Sequence, residues 1–262
     1  MVSAGLVRKN AAAILKNILP QSIAIAGIFF LFWLLGIYLG QTISLLCPVP
    51  VRAGIAQLVS VLCDVFFSVP LMMGIQRWTW RLTGGADDSL RTVFYAFGDK
   101  QNYRRAFGYS LRYTLCLYVP RLTALPRIFL EHGEDAALHP LSVLHGGFTG
   151  LFSAVAAVLE LAGLFLSLWL ALRFFLAPYL LANDDSLSPA QALRLSFQVM
   201  HKRTGRLLGF FFSFIGWGLL CVLILPVMYV FPLFWISTGI YARYLIADYN
   251  SLHVKGGGFF HA

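Results

Sequence analysis

The chain alternates long apolar runs with short polar segments, and this alternation predicts membrane-spanning helices. A helix rising about 1.5 Å per residue needs about 20 apolar residues to cross the hydrocarbon core of a bilayer. The six predicted spans are Gln21 to Cys47, Ile55 to Trp80, Ala106 to Pro120, Phe148 to Ala182, Leu207 to Leu225 and Val227 to Ile246. The third span is the weakest, because Arg112 interrupts it and Pro120 and Pro126 follow.

Composition places the chain among integral membrane proteins. Of its 262 residues, 59% are hydrophobic and only 12% are charged, and the mean hydropathy is +0.75. These values lie outside the usual range of soluble domains. The first run is about twice as long as the core of a cleavable signal peptide, so we expect it to be retained. The sequence therefore predicts an all-α, polytopic transmembrane helical bundle of about six spans, formed by residues 1–262 as one domain.

The basic residues predict how the bundle is oriented. Under the positive-inside rule, Lys and Arg accumulate on the cytoplasmic side. With the N-terminus inside, the inner segments hold Arg8, Lys9, Lys16, Arg77, Arg81, Arg91, Lys100, Arg104, Arg105, Arg194, Lys202, Arg203, Arg206 and Lys255, against Arg52, Arg121 and Arg127 outside. We therefore expect both termini inside a bacterial cytoplasmic membrane, with an amphipathic segment at 1–20, an external loop at 131–147 and a flexible tail at 251–262.

The net charge of +9 could also suggest a nucleic-acid partner, but the basic residues lie at membrane ends. Such residues attract anionic phospholipid headgroups, with about 1 kcal/mol for each cation near the surface. The predicted partners are therefore the lipid bilayer and anionic headgroups, and no nucleic acid.

Two inner segments resemble each other. DDSL occurs at 87–90 and again at 184–187, and LRxxF occurs at 90–94 and again at 193–197, each followed by basic residues and another span. The spacing differs by six residues between the copies. A parallel internal repeat of span, surface helix and span is one interpretation, and chance similarity is the other.

Each copy predicts an amphipathic cytoplasmic helix. In the second copy, Ser188 is a candidate N-cap, Pro189 suits the first helical position and Gln191 completes a capping box. The candidate lipid-facing residues of this helix are Leu193, Arg194, Phe197 and Met200. The helix packs either on the bundle or in the headgroup layer. In the first copy the face consists of Leu90, Phe94 and Phe97, with Asp87 or Asp88 as the cap and Gly98 as the end.

Asp64, Arg112 and Glu160 form the candidate intramembrane polar site. A charged group at the bilayer centre costs at least about 2.5 kcal/mol, so each should face protein or water. Either an acid pairs with Arg112 and fixes helix register, or an acid carries a proton or cation in a transport path. Arg173 lies near the inner end of its span, where it is expected to snorkel.

Motifs of membrane enzymes are missing from the sequence. It contains no HExxH, no GxSxG and no Gly-rich phosphate loop. The loop residues His132, His139 and His145 match no metal-ligand spacing, and the four cysteines are interpreted as buried apolar residues. We expect no catalytic residues, no metal and no cofactor.

The second half carries a distinctive combination: APYLLANDD, SPAQALRLSFQVM, HKRTGR, SFIGW and a final span ending in YARYLIADY. In these residues the chain resembles a bacterial family of uncharacterised integral membrane proteins, domain of unknown function 975. It departs from that family at LILPVMYVFPLFW, where the family has Gly-rich turns. The resemblance implies a multi-spanning helical protein and no activity. More remotely, the arrangement is similar to the membrane domains that accompany glycerophosphodiester phosphodiesterases.

Together these features predict a non-enzymatic membrane component in export, envelope upkeep or lipid handling. The alternative is a small permease or proton- or cation-coupled transporter that uses Asp64 or Glu160.

Overall fold

The computed structural model describes residues 3–48, 52–86, 89–124, 142–221 and 226–253. Every element in these ranges is helical, as the apolar runs predict. A helix pairs its backbone N–H and C=O groups with one another, whereas lipid chains offer these groups no hydrogen-bond partner. The helices are α1 Ala4–Leu45, α2 Arg52–Cys63, α3 Val69–Thr83, α4 Tyr95–Gly98, α5 Lys100–Tyr118, α6 Ser142–Arg173, α7 Ala177–Asn183, α8 Pro189–Val199, α9 Thr204–Phe212, α10 Ile215–Leu220 and α11 Val227–His253.

Four of these helical stretches are long and apolar enough to cross a membrane. They are Ala4–Leu45, Gly54–Thr83, Ala154–Asn183 and Val227–Ser251. They contain the second and sixth predicted spans and most of the first and fourth. The third predicted span coincides with the more polar helix α5, and the fifth is divided between the short helices α9 and α10. The predicted count of six is therefore not confirmed.

Helix α1 is longer than the sequence predicts at its start. The segment 1–20, expected to be a separate cytoplasmic piece, belongs to α1 from Ala4 onward. A local break at Ile18 (φ −121°, ψ 19°) precedes Pro20, whose ring and missing N–H disturb a helix. Before the break, buried Ala11 and Leu15 pack with residues of α11, so this segment is part of the bundle.

Pro70 explains an irregularity in the second span. The helix passes from α2 to α3 through a π-helical turn, Asp64–Ser68. Pro70 has no N–H to donate to the carbonyl of Phe66, four residues earlier. That carbonyl instead accepts a hydrogen bond of 3.3 Å from the hydroxyl of Tyr103 on α5. This hydrogen bond joins α5 to the π-turn of the second span.

Small residues allow α1 and α2 to approach closely. A Cβ on Gly40 would lie 2.8 Å from the carbonyl oxygen of Ala56, and one on Gly36 would lie 3.1 Å from Cβ of Cys63. Such four-residue spacing of glycines is a common contact between membrane helices, because it brings the backbones together.

The C-terminal ends of α3 and α7 meet the C-terminal half of α11 at one end of the bundle, called here the polar end. The indole N–H of Trp80 donates to Asn183 Oδ1 at 3.1 Å, which joins α3 to α7. Arg243 of α11 donates to Thr83 Oγ1 at 3.0 Å and to the carbonyl of Trp80. Three helices far apart in sequence are thus joined by polar contacts.

Helix α11 is the central helix of the bundle. In its most apolar stretch 67% of the residues are buried by protein, against 22% to 33% in the other three candidate spans. The outer faces of α1 and α6 carry exposed apolar side chains, with Tyr38 and Phe165 each 68% exposed. Exposed apolar faces of this kind suit contact with lipid.

Two predicted boundaries change. Residues 131–141 of the predicted external loop lie outside the described residues, whereas 142–147 are already helical in α6. Residues 251–253 of the predicted flexible tail belong to α11 instead, and 254–262 lie outside the described residues.

Candidate functional site

An ion-pair cluster at the polar end is built around Asp185. Both guanidinium nitrogens of Arg77 bind its carboxylate, at 2.8 and 3.1 Å. Arg105 binds the same carboxylate at 2.8 Å, and the hydroxyl of Tyr95 donates to it at 3.0 Å. These partners come from α3, α4 and α5, so Asp185 connects three elements that precede it by 80 residues or more.

The electrostatics of this cluster are those of a stable ion pair. The guanidinium of Arg77 lowers the pKa of Asp185 to about 2. The two arginine side chains are only 15% and 13% exposed, so the carboxylate compensates charges that have largely left water. Arg77 also lies over the ring of Tyr95, 3.8 Å from its centroid, a cation–π contact. Arg105 additionally donates to the carbonyls of Asp184 and Leu187, which fixes the DDSL segment.

A second group of contacts extends inward from the same end. Arg243 lies 4.1 Å from the ring centroid of Trp80, and the ring of Trp80 packs against that of Tyr179. The buried hydroxyl of Tyr179 contacts Thr238 Oγ1 at 3.0 Å. Because both groups of contacts join helices to one another, we interpret the polar end as the place where polar contacts hold the helices of the bundle together.

The three residues of the candidate intramembrane site lie on different elements, Arg112 on α5, Glu160 on α6 and Asp64 at the start of the π-turn. Arg112 is exposed and donates to the carbonyl of Gly108 on its own helix, at 2.8 Å. Among the residues that the structure describes, no ion pair joins it to Asp64. Asp64 is half-buried at the start of the π-turn, and Glu160 is half-buried on α6. The structural role proposed for an Asp64–Arg112 pair is therefore not supported.

The second amphipathic helix begins as predicted. The side chain of Ser188 accepts a hydrogen bond from the N–H of Gln191, the side chain of Gln191 accepts one from Ser188, and Pro189 occupies the first turn. This capping box is purely local, which is why the sequence alone places it.

The apolar face of that helix corrects the lipid-facing assignment. Leu193 and Met200 are 7% and 0% exposed and lie inside the largest apolar cluster, so they pack into the bundle. Phe197 is half-buried beside Arg173, whose guanidinium lies 4.8 Å from its ring centroid. Arg194 is exposed. Arg173 therefore turns toward α8, and its side chain contacts protein there.

The first amphipathic segment behaves differently. It starts as a 3-10 turn, Leu90–Phe94, and ends at Gly98 in α4 as predicted, while the candidate caps at 87 and 88 lie outside the described residues. Leu90, Phe94 and Phe97 are each 38% to 39% exposed. The buried side of the turn lies on Gly74, where a Cβ would lie 1.8 Å from the carbonyl oxygen of Val93. This segment presents its apolar residues outward.

A groove of about 680 Å³ opens between α9 and α11 at the polar end, and we call it the α9–α11 groove. Its mouth carries polar groups, and its inner part is apolar. The lining residues are Ala4, Arg206, Gly209, Phe210, Tyr241, Tyr244, Leu245, Ala247, Asp248 and Ser251. The volume falls within the range of small-molecule sites.

A second cavity, the aromatic cleft, lies on the opposite side of α9 and measures about 450 Å³. It is lined mainly by apolar and aromatic side chains of α5, α6 and α9, among them Tyr109, Tyr113 and Phe211. Asp64 and Glu160 do not line either of these two cavities. Helix α9 is therefore flanked by open space on two sides.

The described residues contain no group of three or more His, Cys, Asp or Glu side chains arranged to hold a metal. Of the loop histidines, 132 and 139 lie outside the described residues. The four cysteines are free thiols.

Comparison with known proteins adds no relative. No family model, no curated protein and no solved structure matches the chain. The resemblance to the uncharacterised membrane family stays a prediction.

Sequence reasoning missed both the Asp185 cluster and the α9–α11 groove. A signal for the cluster was present, since DDSL is the repeated motif and its acid is the one that binds two arginines. No comparable signal marks the groove, because its lining comes from three separate helices.

Proposed function

We propose that the protein is a non-enzymatic, multi-pass component of the bacterial cytoplasmic membrane that handles lipid, in export or in envelope upkeep. The observation that carries this proposal is the α9–α11 groove, which is large enough for a small ligand and combines a charged mouth with an apolar interior. Amphipathic sites of this kind suit molecules with one polar and one apolar end, and lipids are such molecules.

Chain connectivity supports six crossings. If the four candidate helices cross the membrane, α3, α7 and α11 all end at the polar end. The chain must then return to the opposite end twice, once within 84–141 and once within 184–226. α5 and the α9–α10 pair are the helices available for those returns. The hydroxyl of Ser167 donates to the carbonyl of Leu117 at 2.8 Å, which fits α5 packed along α6.

The polar end is proposed to face the cytoplasm. It holds Arg77, Arg105, Arg203, Arg206 and Arg243, and the N-terminal part of α1 reaches the same end through Ala4 in the groove. This arrangement agrees with the positive-inside rule and with anionic headgroups as partners.

The proposal is tested by native mass spectrometry of the protein purified in mild detergent from a bacterial membrane. We expect the folded protein to retain at least one phospholipid through purification. A monodisperse, folded protein that carries no phospholipid would contradict lipid handling.

A small permease is the second candidate, and the π-turn at Asp64 favours it. π-turns within membrane helices often mark functional sites, and Asp64 begins this one while half-buried. In proteoliposomes with an imposed proton gradient, Asp64→Asn and Glu160→Gln should fold normally and abolish proton-coupled flux. Flux that persists in both variants would eliminate this function, and Arg194→Gln serves as an exposed, off-path control.

A further inference from the structure

Arg206 and Asp248 are the charged residues that line the α9–α11 groove, and Arg203, which does not line it, pairs with the same Asp248 carboxylate. Arg203 binds Asp248 with its Nε at 2.9 Å from Oδ2. Arg206 lies farther from the same oxygen, at 3.6 Å, and its side chain is 49% exposed. Two guanidinium groups thus share one carboxylate. Since Arg203 already compensates Asp248, Arg206 is left with capacity to bind an anion at the groove mouth.

The inner part of the groove is apolar and preformed. Phe210 and Tyr241 stack with their ring centroids 4.4 Å apart and their planes at 9°. Leu245 continues the same wall and is 4% exposed. Gly209 faces open space, because a Cβ placed on it would meet no atom within 4 Å. The groove therefore offers room for a hydrocarbon chain beside a fixed aromatic surface.

The polar and apolar parts are arranged along the helices in the order that a membrane lipid requires. Arg206, Asp248 and Ser251 lie toward the polar end, whereas Gly209 lies almost one turn, and Phe210 and Tyr241 lie about one to two turns, farther into the bundle. A headgroup at the membrane surface with a chain directed inward has the same polarity.

We propose that the α9–α11 groove binds one anionic phospholipid, with its phosphate on Arg206 and an acyl chain beside Gly209, Phe210 and Tyr241. This inference rests on the proposed lipid-handling function and assigns it a site and a lipid class. Free phosphate could bind the same guanidinium but gains nothing from the apolar wall. The apolar wall therefore favours the lipid.

The proposed contact between Arg206 and the lipid phosphate is tested by thermal unfolding in detergent with added phosphatidylglycerol, phosphatidylcholine or inorganic phosphate. Wild-type protein should be stabilised most by phosphatidylglycerol. Arg206→Gln should weaken the apparent affinity for this lipid about fivefold, the effect of one cation near an anionic headgroup. Arg194→Gln, which removes an exposed charge on α8 outside the groove, should leave the affinity unchanged.

The proposed position of the acyl chain is tested by filling the groove with a larger side chain. Gly209→Leu places a side chain into the open space and should lower the count of retained phospholipids by one in native mass spectra. Gly216→Leu is the matched control, because Gly216 lies on α10, also faces open space and does not line the groove. Size-exclusion profiles establish that each variant is folded.

The outcomes separate the two proposals. A wild-type protein that retains no phospholipid overturns the lipid-handling function itself. Retention that is equal in wild type, Arg206→Gln and Gly209→Leu leaves that function in place and overturns this site. Stabilisation by inorganic phosphate that matches phosphatidylglycerol overturns the lipid assignment and makes the site one for a soluble anion.

Discussion

At the residue scale, Asp185 joins three elements of the polar end, α3, α4 and α5. Its carboxylate compensates two arginines that are largely withdrawn from water, and it accepts a hydrogen bond from Tyr95. Its neighbour Asp184 is half-buried and differs in its partners, because its side chain accepts hydrogen bonds from the N–H and hydroxyl of Ser186, two residues away. The repeated DDSL motif thus contains one bridging acid and one local capping acid.

Replacing Asp185 by Asn should lower the stability of the folded bundle. The change leaves Arg77 and Arg105 without a counter-charge, and the expected loss is about 1–2 kcal/mol, since the carboxylate is 61% exposed and partly screened by water. Thermal unfolding of the purified variant measures this loss. Asp184→Asn is the control and should lie close to wild type, and an equal loss in both variants would contradict a bridging role for Asp185.

The same carboxylate predicts a pH dependence. Its pKa is lowered to about 2 in the folded state, against about 3.9 for an unperturbed Asp. Its contribution is therefore complete above about pH 4 and is lost as the pH falls toward 2. Unfolding curves of wild type and Asp185→Asn should differ at pH 6 and converge near pH 2. A difference that stays constant over this range would show that the carboxylate charge is not the cause.

At the element scale, the two amphipathic segments share a pattern but not an environment. The helix α8 buries Leu193 and Met200 in the bundle, whereas the segment from Leu90 to Gly98 leaves Leu90 and Phe94 exposed. The first segment is placed by the contact of its 3-10 turn with Gly74. Only this first copy presents an apolar stripe outward at the polar end.

Replacing Gly74 by Ala should displace the first segment. The added Cβ would lie 1.8 Å from the carbonyl oxygen of Val93, so the turn must move, and overpacking of this kind costs about 1–3 kcal/mol. Thermal unfolding should show the loss. Gly27→Ala is the matched control, because a Cβ on Gly27 meets nothing within 4 Å, and a stability of Gly74→Ala equal to that of this control would refute the close contact.

At the scale of the whole molecule, the polar contacts between helices at the polar end and the central position of α11 define one bundle. Arg243 joins α11 to α3, and Asn183 joins α7 to α3. Polar groups that pair inside a membrane bundle fix which helix ends lie together, because an unpaired group in lipid is costly. That common end is the basis for proposing six crossings.

Six crossings predict that the loop around 139 and the segment around Arg194 lie on opposite sides of the membrane. Single cysteines at these positions, in a variant without the four native cysteines, should react with a membrane-impermeant maleimide from opposite sides. Labelling of both positions from the same side of intact cells would refute this topology. Cysteine at Ser251 should react from the same side as Arg194, since Ser251 lies near the polar end and α8 follows the Asp185 cluster of that end in the chain.

The sequence by itself determined the features that depend on local chemistry. The four long apolar helices follow from composition, and α8 begins at Pro189 because its capping box needs only neighbouring residues. The break near Pro20 has an equally local cause.

The tertiary structure decided which partners these elements meet. An apolar face has the same pattern whether it contacts lipid or protein, so the sequence could not place Leu193 and Met200 inside the bundle. Nor could it pair Asp185 with Arg77 and Arg105, because partners 108 and 80 residues away become neighbours only when helices pack. The α9–α11 groove has the same origin, since its charged mouth and apolar wall exist only where α9, α11 and the start of α1 meet.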